Sequence, residues 1–257
     1  MSERASDMLR VEGLSMSFGG LAVTRDVSLS LAAGDRVALI GPNGAGKTTF
    51  VNLVAGLLSP NAGRVLLGGE DVTALGMVER VRRGLVRTFQ VTRLFRELTV
   101  FENVALPVLQ REQATGAIFA QVRRNGALRA EVEELLRTLG LQDHSARPVK
   151  EMAYGQQRLV EIAIALALRP KVLLLDEPAA GVPREEASRL LAVIEALPAD
   201  IAILMIEHDM DLVFRFARRV MVLAAGSLIF EGDPRAVAAH PLVREAYLGN
   251  YAQKVRA

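Results

Sequence analysis

Residues Gly41, Pro42, Asn43, Gly44, Ala45, Gly46, Lys47 and Thr48 fit the pattern G-x-x-x-x-G-K-[ST] in full. They follow the continuously apolar stretch RVALI (36–40) and precede TFVNLVAGLL (49–58), which has helical spacing. A buried strand, a glycine-rich turn and a helix in that order make a phosphate cradle. The glycines let backbone N–H groups curl around phosphate oxygens. The helix turns its positive end toward them. Lys47 suits the β- and γ-phosphates, Thr48 offers a hydroxyl to Mg2+, and Thr49 is placed to reach the next phosphate. An ordinary strand–helix turn would not need the lysine. Only four of the 31 basic residues are Lys (47, 150, 171 and 254), so Lys47 is not casual surface charge.

VLLLDEP (172–178) puts two carboxylates at the carboxyl end of a second buried strand, where ligands sit in open α/β sheets. Asp176 suits the Mg2+ shell through water, and Glu177 suits a general base for an attacking water. The alternative, a plain acidic turn, weakens beside a complete phosphate loop. His208 follows ILMIE at the end of another apolar run and shares that position type, which suits a γ-phosphate sensor. His144 and His240 lie in polar stretches and read as structural. Gln90 closes LVRTFQ (85–90); it is either a solvated turn residue or a ligand of Mg2+ and the water. Phe18, in SFGG, either belongs to the core or stacks on a nucleobase. No N-K-x-D guanine reader is present, which favours ATP over GTP. AYGQQRLVEI (153–162) is either a plain helix start or a place where Gly155 lets backbone approach a ligand, and spacing alone leaves both open.

The elements that must hold these residues alternate in type. LRVEGLSMSF (9–18) and VSLSLAAG (27–34) alternate apolar and polar, as half-buried antiparallel strands do. RVALI, KVLLLDE (171–177) and IAILMIEHD (201–209) are buried-strand runs. GRVLLGGEDV (63–72) reads as a strand and turn, and RRVMVLAAGSLIFEGDP (218–234) as a hairpin around Ala225-Gly226. Helical spacing marks ELTVFENVALPVL (97–109), LRAEVEELLRTLGL (128–141), QQRLVEIAIALAL (156–168), PREEASRLLAVIEAL (183–197) and a last helix at 241–248. The alternation predicts an α/β fold with a mainly parallel sheet, an N-terminal antiparallel β subdomain and an inserted helical subdomain.

The 257 residues allow one large domain or two small ones, and 51% hydrophobic residues argue against disorder. Lys+Arg 31 against Asp+Glu 29 is near balance, and no basic stripe interleaved with aromatics appears, so nucleic acid is not the expected partner. With no Cys, disulfides and thiolate metal sites are excluded. The first ten residues are polar with charge of both signs, unlike a signal peptide. No apolar run approaches the ~18–20 residues that span a bilayer. Any membrane crossing is expected of another chain.

In this order the motifs resemble the ATP-binding-cassette (ABC) ATPases over roughly residues 8–250. GPNGAGKT resembles the Walker A loop, VLLLDE the Walker B strand, Gln90 the Q-loop glutamine, His208 the switch histidine and Phe18 the adenine-stacking aromatic. MAYGQ (152–156) occupies the place of the LSGGQ signature, which puts Ala153, Tyr154, Gly155 and Gln156 over the nucleotide held by a second chain. VRTFQVTRLFRELTVFENV, AYGQQR, DEPAAG and the terminal EAYLG are similar to the ATPases of branched-chain amino acid importers. Urea and short-chain amide importers are the nearest rivals, with lipid exporters and soluble non-transport cassette ATPases less similar.

The resemblance implies one cassette at 8–250. Residues 8–96 and 169–250 would form the nucleotide-binding core with its β subdomain, and 97–168 the helical subdomain. It implies ATP and Mg2+, a second ATPase subunit in a homo- or heterodimer, and membrane permeases. A periplasmic or extracellular substrate-binding protein is the indirect partner, and the place is the cytoplasmic face of the inner membrane, peripherally. Leu94 and Phe95, an apolar pair among charges, are expected to be partly exposed for a permease to dock. Two positions depart from the family pattern. Ala153 stands where Ser is usual, and Pro183 where the D-loop usually has Asp.

Overall fold

Alternating burial along residues 9–31 yields two long antiparallel strands, β1 (Leu9–Phe18) and β2 (Leu21–Leu31), joined at Gly19-Gly20. The structure, a computed structural model, describes residues 7–88, 94–112, 125–237 and 239–246. Across the pair Leu9 faces Leu31, Val11 faces Leu29 and Leu14 faces Val27, and all six are buried. The alternation predicts the second strand at 27–34, yet it begins at Leu21 and ends at Leu31. Polar Thr24-Arg25-Asp26 reads as a break because the register shifts there. Asp26 takes φ 51, and its N–H donates to Ser15 Oγ at 2.9 Å, so the ladder continues past the irregularity. β4 (Ala62–Leu67) and β5 (Glu70–Asp71) complete a four-stranded sheet in the order β2-β1-β4-β5.

The three apolar runs form β3 (Arg36–Ile40), β7 (Val172–Asp176) and β8 (Ala202–Ile206), with every residue buried. β6 (Leu85–Arg87) and the hairpin β9 (Arg219–Ala224)–β10 (Ser227–Gly232) extend them into a sheet ordered β10-β9-β3-β8-β7-β6. β9, β3, β8 and β7 run parallel, and β10 is antiparallel. Helix α1 (Lys47–Val54) buries Phe50, Val51, Leu53 and Val54 in one core with Leu39, Leu174, Leu204 and the inward face of β1 and β2.

The short helix α2 (Met77–Arg82) has no apolar stripe to betray it in the sequence. A single side chain ties it down. Arg80, only 1% exposed, donates through Nη1 to Leu53 O (2.8 Å) and Val54 O (2.7 Å), the last-turn carbonyls of α1. Its Nε and Nη2 satisfy Leu75 O and Thr73 O at 2.9 and 2.8 Å. A cation at the negative end of a helix is also favourable for the dipole. Arg80→Met keeps the apolar stem and removes the donor to Val54 O, Leu75 O and Thr73 O, while Leu53 O keeps the Gly56 N–H at 3.2 Å. Each such loss costs about 1–3 kcal/mol, so for the three we expect unfolding free energy to drop by at least about 3 kcal/mol in a denaturant titration. An unchanged midpoint would show the cap to be dispensable.

The chain divides into two compact units. The first holds both sheets, α1 and α2, and draws on the chain up to Val86, Lys171–Glu177 and the part from Pro198 onward. The second comprises Arg87–Pro170 and Pro178–Leu197. Its helices are α3 (Val100–Arg111), α4 (Gly126–Thr138), α5 (Tyr154–Ala167) and α6 (Arg184–Glu195). α3 starts with a capping box: Thr99 Oγ1 accepts Glu102 N–H, and Glu102 Oε2 accepts Thr99 N–H. Buried Asn103, one residue on, accepts Phe95 N–H at 2.9 Å and donates to Phe95 O at 3.0 Å. That clamp presents the Phe95 ring to solvent, 61% exposed, beside half-buried Leu94. Back in the first unit, α7 (Met210–Phe216) and α8 (Pro234–Val237) follow β8 and β10, and the chain is helical again at 241–246. The rest of the expected last helix, 247–248, lies outside the described residues.

Candidate functional site

The phosphate loop runs from the end of β3 to the first turn of α1, and its glycines are required by what surrounds them. At Gly41 a Cβ would lie 2.1 Å from Leu223 O, and at Gly46 (φ 99) 2.4 Å from Val23 O. No other residue fits either place. The loop is stitched in from outside: Gly226 N–H donates to Ala45 O at 3.0 Å, and Gly226 O accepts Arg25 N–H at 2.8 Å. The β9–β10 turn is thus wedged between the loop and β2. Among the described residues no side chain caps α1, which leaves its positive end for an anionic ligand. Lys47 Nζ donates to Gly41 O (2.7 Å) and Pro42 O (3.0 Å), which holds the ammonium against the loop. Burial pushes its pKa down, and the Glu177 and Asp176 carboxylates oppose that. Thr48 is exposed and Thr49 half-buried. Of the remaining loop residues, Pro42 is half-buried, Asn43 and Gly44 are exposed and Ala45 is buried.

The parallel register brings the other motifs to the same sheet edge. Leu39 of β3 pairs with Ile206 of β8, and Ile206 with Asp176 of β7. The loop after Ile40, the carboxylates at 176–177 and His208 therefore all follow the same edge of three adjacent strands. Asp176 is buried. Glu177 adopts φ 46, an uncommon conformation for a residue with a side chain, and its N–H donates to Ile206 O at 2.9 Å. Its Oε1 lies 3.9 Å from His208 Nδ1. Glu207, which precedes the histidine, is also buried. Phe18, half exposed, ends β1 opposite Leu21, two residues before the Val23 carbonyl that packs on Gly46.

In the second unit AYGQQ forms the start of α5. Ala153 takes the N-cap position with extended backbone and no side-chain bond. Gln156 Oε1 accepts Ala153 N–H at 3.3 Å, and its Nε2 lies 3.0 Å from His144 Nε2. Gly155 N–H donates to Glu186 Oε2 at 3.2 Å, across 31 residues of chain. Tyr154 is partly exposed, its hydroxyl accepts Arg158 Nη2–H at 2.6 Å, and its ring lies over Gly181. Pro183 is the N-cap of α6, whose first turn carries Glu186.

Residues 24–180 match the family described as ABC transporter, and residues 227–252 match the family described as branched-chain amino acid ATP-binding cassette transporter. The high-affinity branched-chain amino acid transport ATP-binding protein LivG of Escherichia coli K12 is 41% identical over 251 residues, 94% of this chain and 98% of LivG. The chain belongs to the ABC transporter family of ATP-binding proteins. This cassette also overlays on the ADP conformation of an ATP-binding cassette of an ABC transporter, with TM-score 0.80, 32% identity and coverage of 95% and 99%. A dimeric bacterial ABC transporter cassette matches with TM-score 0.74 and 25% identity over 89% of this chain and 99% of that one. As an ABC ATPase it binds ATP and couples ATP hydrolysis to transport.

Within this ABC ATPase, Lys47, Thr48, Asp176, Glu177 and His208 come together on the first unit. Gln90 lies outside the described residues. Several contacts of the site have no short-range signal in the sequence. Gly226 under the phosphate loop, Glu186 on Gly155 and His144 on Gln156 are each set by tertiary packing. Glu207 had a signal: a carboxylate directly after five apolar strand residues, on the edge where Asp176 also ends its strand.

Proposed function

We propose that this chain is the ATPase subunit of a branched-chain amino acid importer, and that it hydrolyses ATP at the edge of β3, β8 and β7. The observation that carries the hydrolytic part is the meeting of Lys47, Asp176, Glu177 and His208 at that edge. The similarity to LivG and the family match at 227–252 support the solute.

Lys47 and the loop amides of Gly41–Thr49 bind the β- and γ-phosphates, and Phe18 stacks on the adenine. The exposed Thr48 hydroxyl and the Asp176 carboxylate are hard oxygen donors. With nucleotide phosphates they make a set that suits Mg2+, and Gln90 is the third protein ligand. Mg2+ supplies charge neutralisation on the phosphates when bound. Glu177 takes the proton of the attacking water, and His208 contacts the γ-phosphate. Ala153, Tyr154, Gly155 and Gln156 cap the nucleotide of a partner ATPase subunit, which makes the working unit a pair. With Ala153 and Pro183 in place of the usual residues, the two sites of that pair are not equivalent if the partner is a different chain.

No helix among the described residues is long and apolar enough to cross a membrane. The chain works peripherally on the cytoplasmic face, beneath permease subunits that dock near exposed Phe95, and a separate substrate-binding protein supplies the solute. Proteoliposomes carrying the complete transporter provide the test. Leucine, isoleucine and valine should drive ATP-dependent uptake. Uptake of urea or a short-chain amide in their place would move the protein to the rival branch.

A further inference from the structure

We propose that Glu207 is the positioning residue of His208, fixing the imidazole edge that faces the nucleotide. The proposal rests on the role of His208 given above. Glu207 is 2% exposed and directly follows β8, five buried apolar residues. A carboxylate in such a place loses its hydration, so packing alone would favour a sixth apolar residue. Two of its contacts are with the next residue. Its Oε2 accepts the His208 backbone N–H at 3.1 Å and stands 3.8 Å from His208 Nδ1. On the other side of the histidine, Asp209 caps α7 by accepting Asp211 N–H (2.9 Å) and Leu212 N–H (3.4 Å). The backbone is therefore pinned immediately before and after His208.

The imidazole itself is held differently. Its side chain is 67% exposed, so packing does not choose its rotamer. The groups that can choose it are polar. Glu207 Oε2 and Glu177 Oε1 both approach the same atom, Nδ1, at 3.8 and 3.9 Å. That assigns the Nδ1 edge to the protein and leaves Nε2 as the atom for a γ-phosphate. Glu177 is itself at work on the attacking water, so Glu207, outside that step, is the carboxylate that can hold this orientation throughout a cycle. Misplacing a catalytic group by about 1 Å can cost about 10²-fold in rate, and that is the scale at which the loss of Glu207 should register.

A double-mutant cycle on the assembled transporter separates positioning from mere stability. Glu207→Ala should lower kcat for ATP by about 10-fold to 10²-fold, with KM held within about twofold because the phosphate loop is untouched. Glu207→Gln retains an acceptor for the His208 N–H and should keep most of the rate. In a His208→Ala background, Glu207→Ala should have no further effect. Additive losses in that background would overturn the proposal, as would a Glu207→Ala enzyme with unchanged kcat. If His208→Ala alone leaves kcat intact, the γ-phosphate role of the histidine fails and the positioning role with it. Additivity, by contrast, sinks only the positioning role. Should Glu207→Ala fold poorly, the Glu207→Gln and Glu207→Asp pair carries the same cycle. Rescue by Gln but not by Asp, whose shorter arm cannot reach the His208 N–H, is the expected order; the reverse order rejects the hydrogen bond as the device.

Discussion

Glu177→Gln is expected to bind ATP with wild-type affinity and to hydrolyse it about 10²–10⁴ times more slowly, the usual weight of a positioned general base. The substitution keeps the shape and removes only the capacity to take a proton. It also spares the geometry that holds the side chain. Residue 177 sits in the left-handed region with φ 46, and its N–H donates to Ile206 O, so the strand end dictates where the carboxylate goes. Such a conformation typically costs of order 1–3 kcal/mol and persists where surrounding structure enforces it. Lys47 gives the contrasting outcome. Its ammonium lies over the Gly41 and Pro42 carbonyls at the mouth of the loop, so Lys47→Ala should weaken nucleotide binding itself. Equilibrium binding of a fluorescent ATP analogue, set beside phosphate release, distinguishes the two. The Gln variant should also accumulate ATP-bound pairs, visible by sedimentation. Turnover near wild type in Glu177→Gln would move the base to another residue.

The parts of this site that can be read along the chain are those whose cause is local. β3, β7 and β8 announce themselves as apolar runs because both faces of the central sheet are buried. The phosphate loop follows from consecutive residues, Asp176 and Glu177 follow from being the first polar residues at the end of such a run, and His208 from lying two residues beyond another. What stays hidden is contact between segments far apart. Arg80 reads as one of several charges on a short stretch, MVERVRR, yet it is buried beneath the end of α1. Gly226 marks a hairpin turn, but nothing nearby says that the turn holds Ala45 of the phosphate loop. The early start of β2 at Leu21 was concealed because a bulge lets polar residues continue a ladder that strict alternation would end. The signature glycine belongs to the same class. Its spacing fits a helix start, while the reason for a glycine lies on another helix.

That reason makes Gly155→Asp the sharper test of AYGQQ. The Gly155 N–H donates to Glu186 Oε2, and a Cβ at this position would lie 2.3 Å from that oxygen. The Glu186 carboxylate is the far end of a flexible side chain and can swing aside, while the Glu186 Cβ, 3.2 Å from the new Cβ, must give by a few tenths of an ångström. The new carboxylate then stands at the start of α5, where the proposed head-to-tail pairing brings backbone to the partner's triphosphate. Two like charges about 4 Å apart repel by about 4 kcal/mol at an effective dielectric near 20. That energy corresponds to about 10²–10³-fold in a closing equilibrium. The phosphate loop belongs to the first unit and is unaltered, so the single chain should bind ATP normally. ATP hydrolysis by the assembled transporter should fall by at least about 10²-fold. Gly155→Ala, which adds bulk without charge, should lose far less, because displacing Glu186 is then the whole cost. A pair with one Gly155→Asp chain should lose hydrolysis first at the site built on the partner's phosphate loop. That is measurable by adding Lys47→Ala to one chain or the other. If instead ATP affinity of the single chain drops in step with hydrolysis, AYGQQ serves the nucleotide of its own chain and the head-to-tail pairing is wrong.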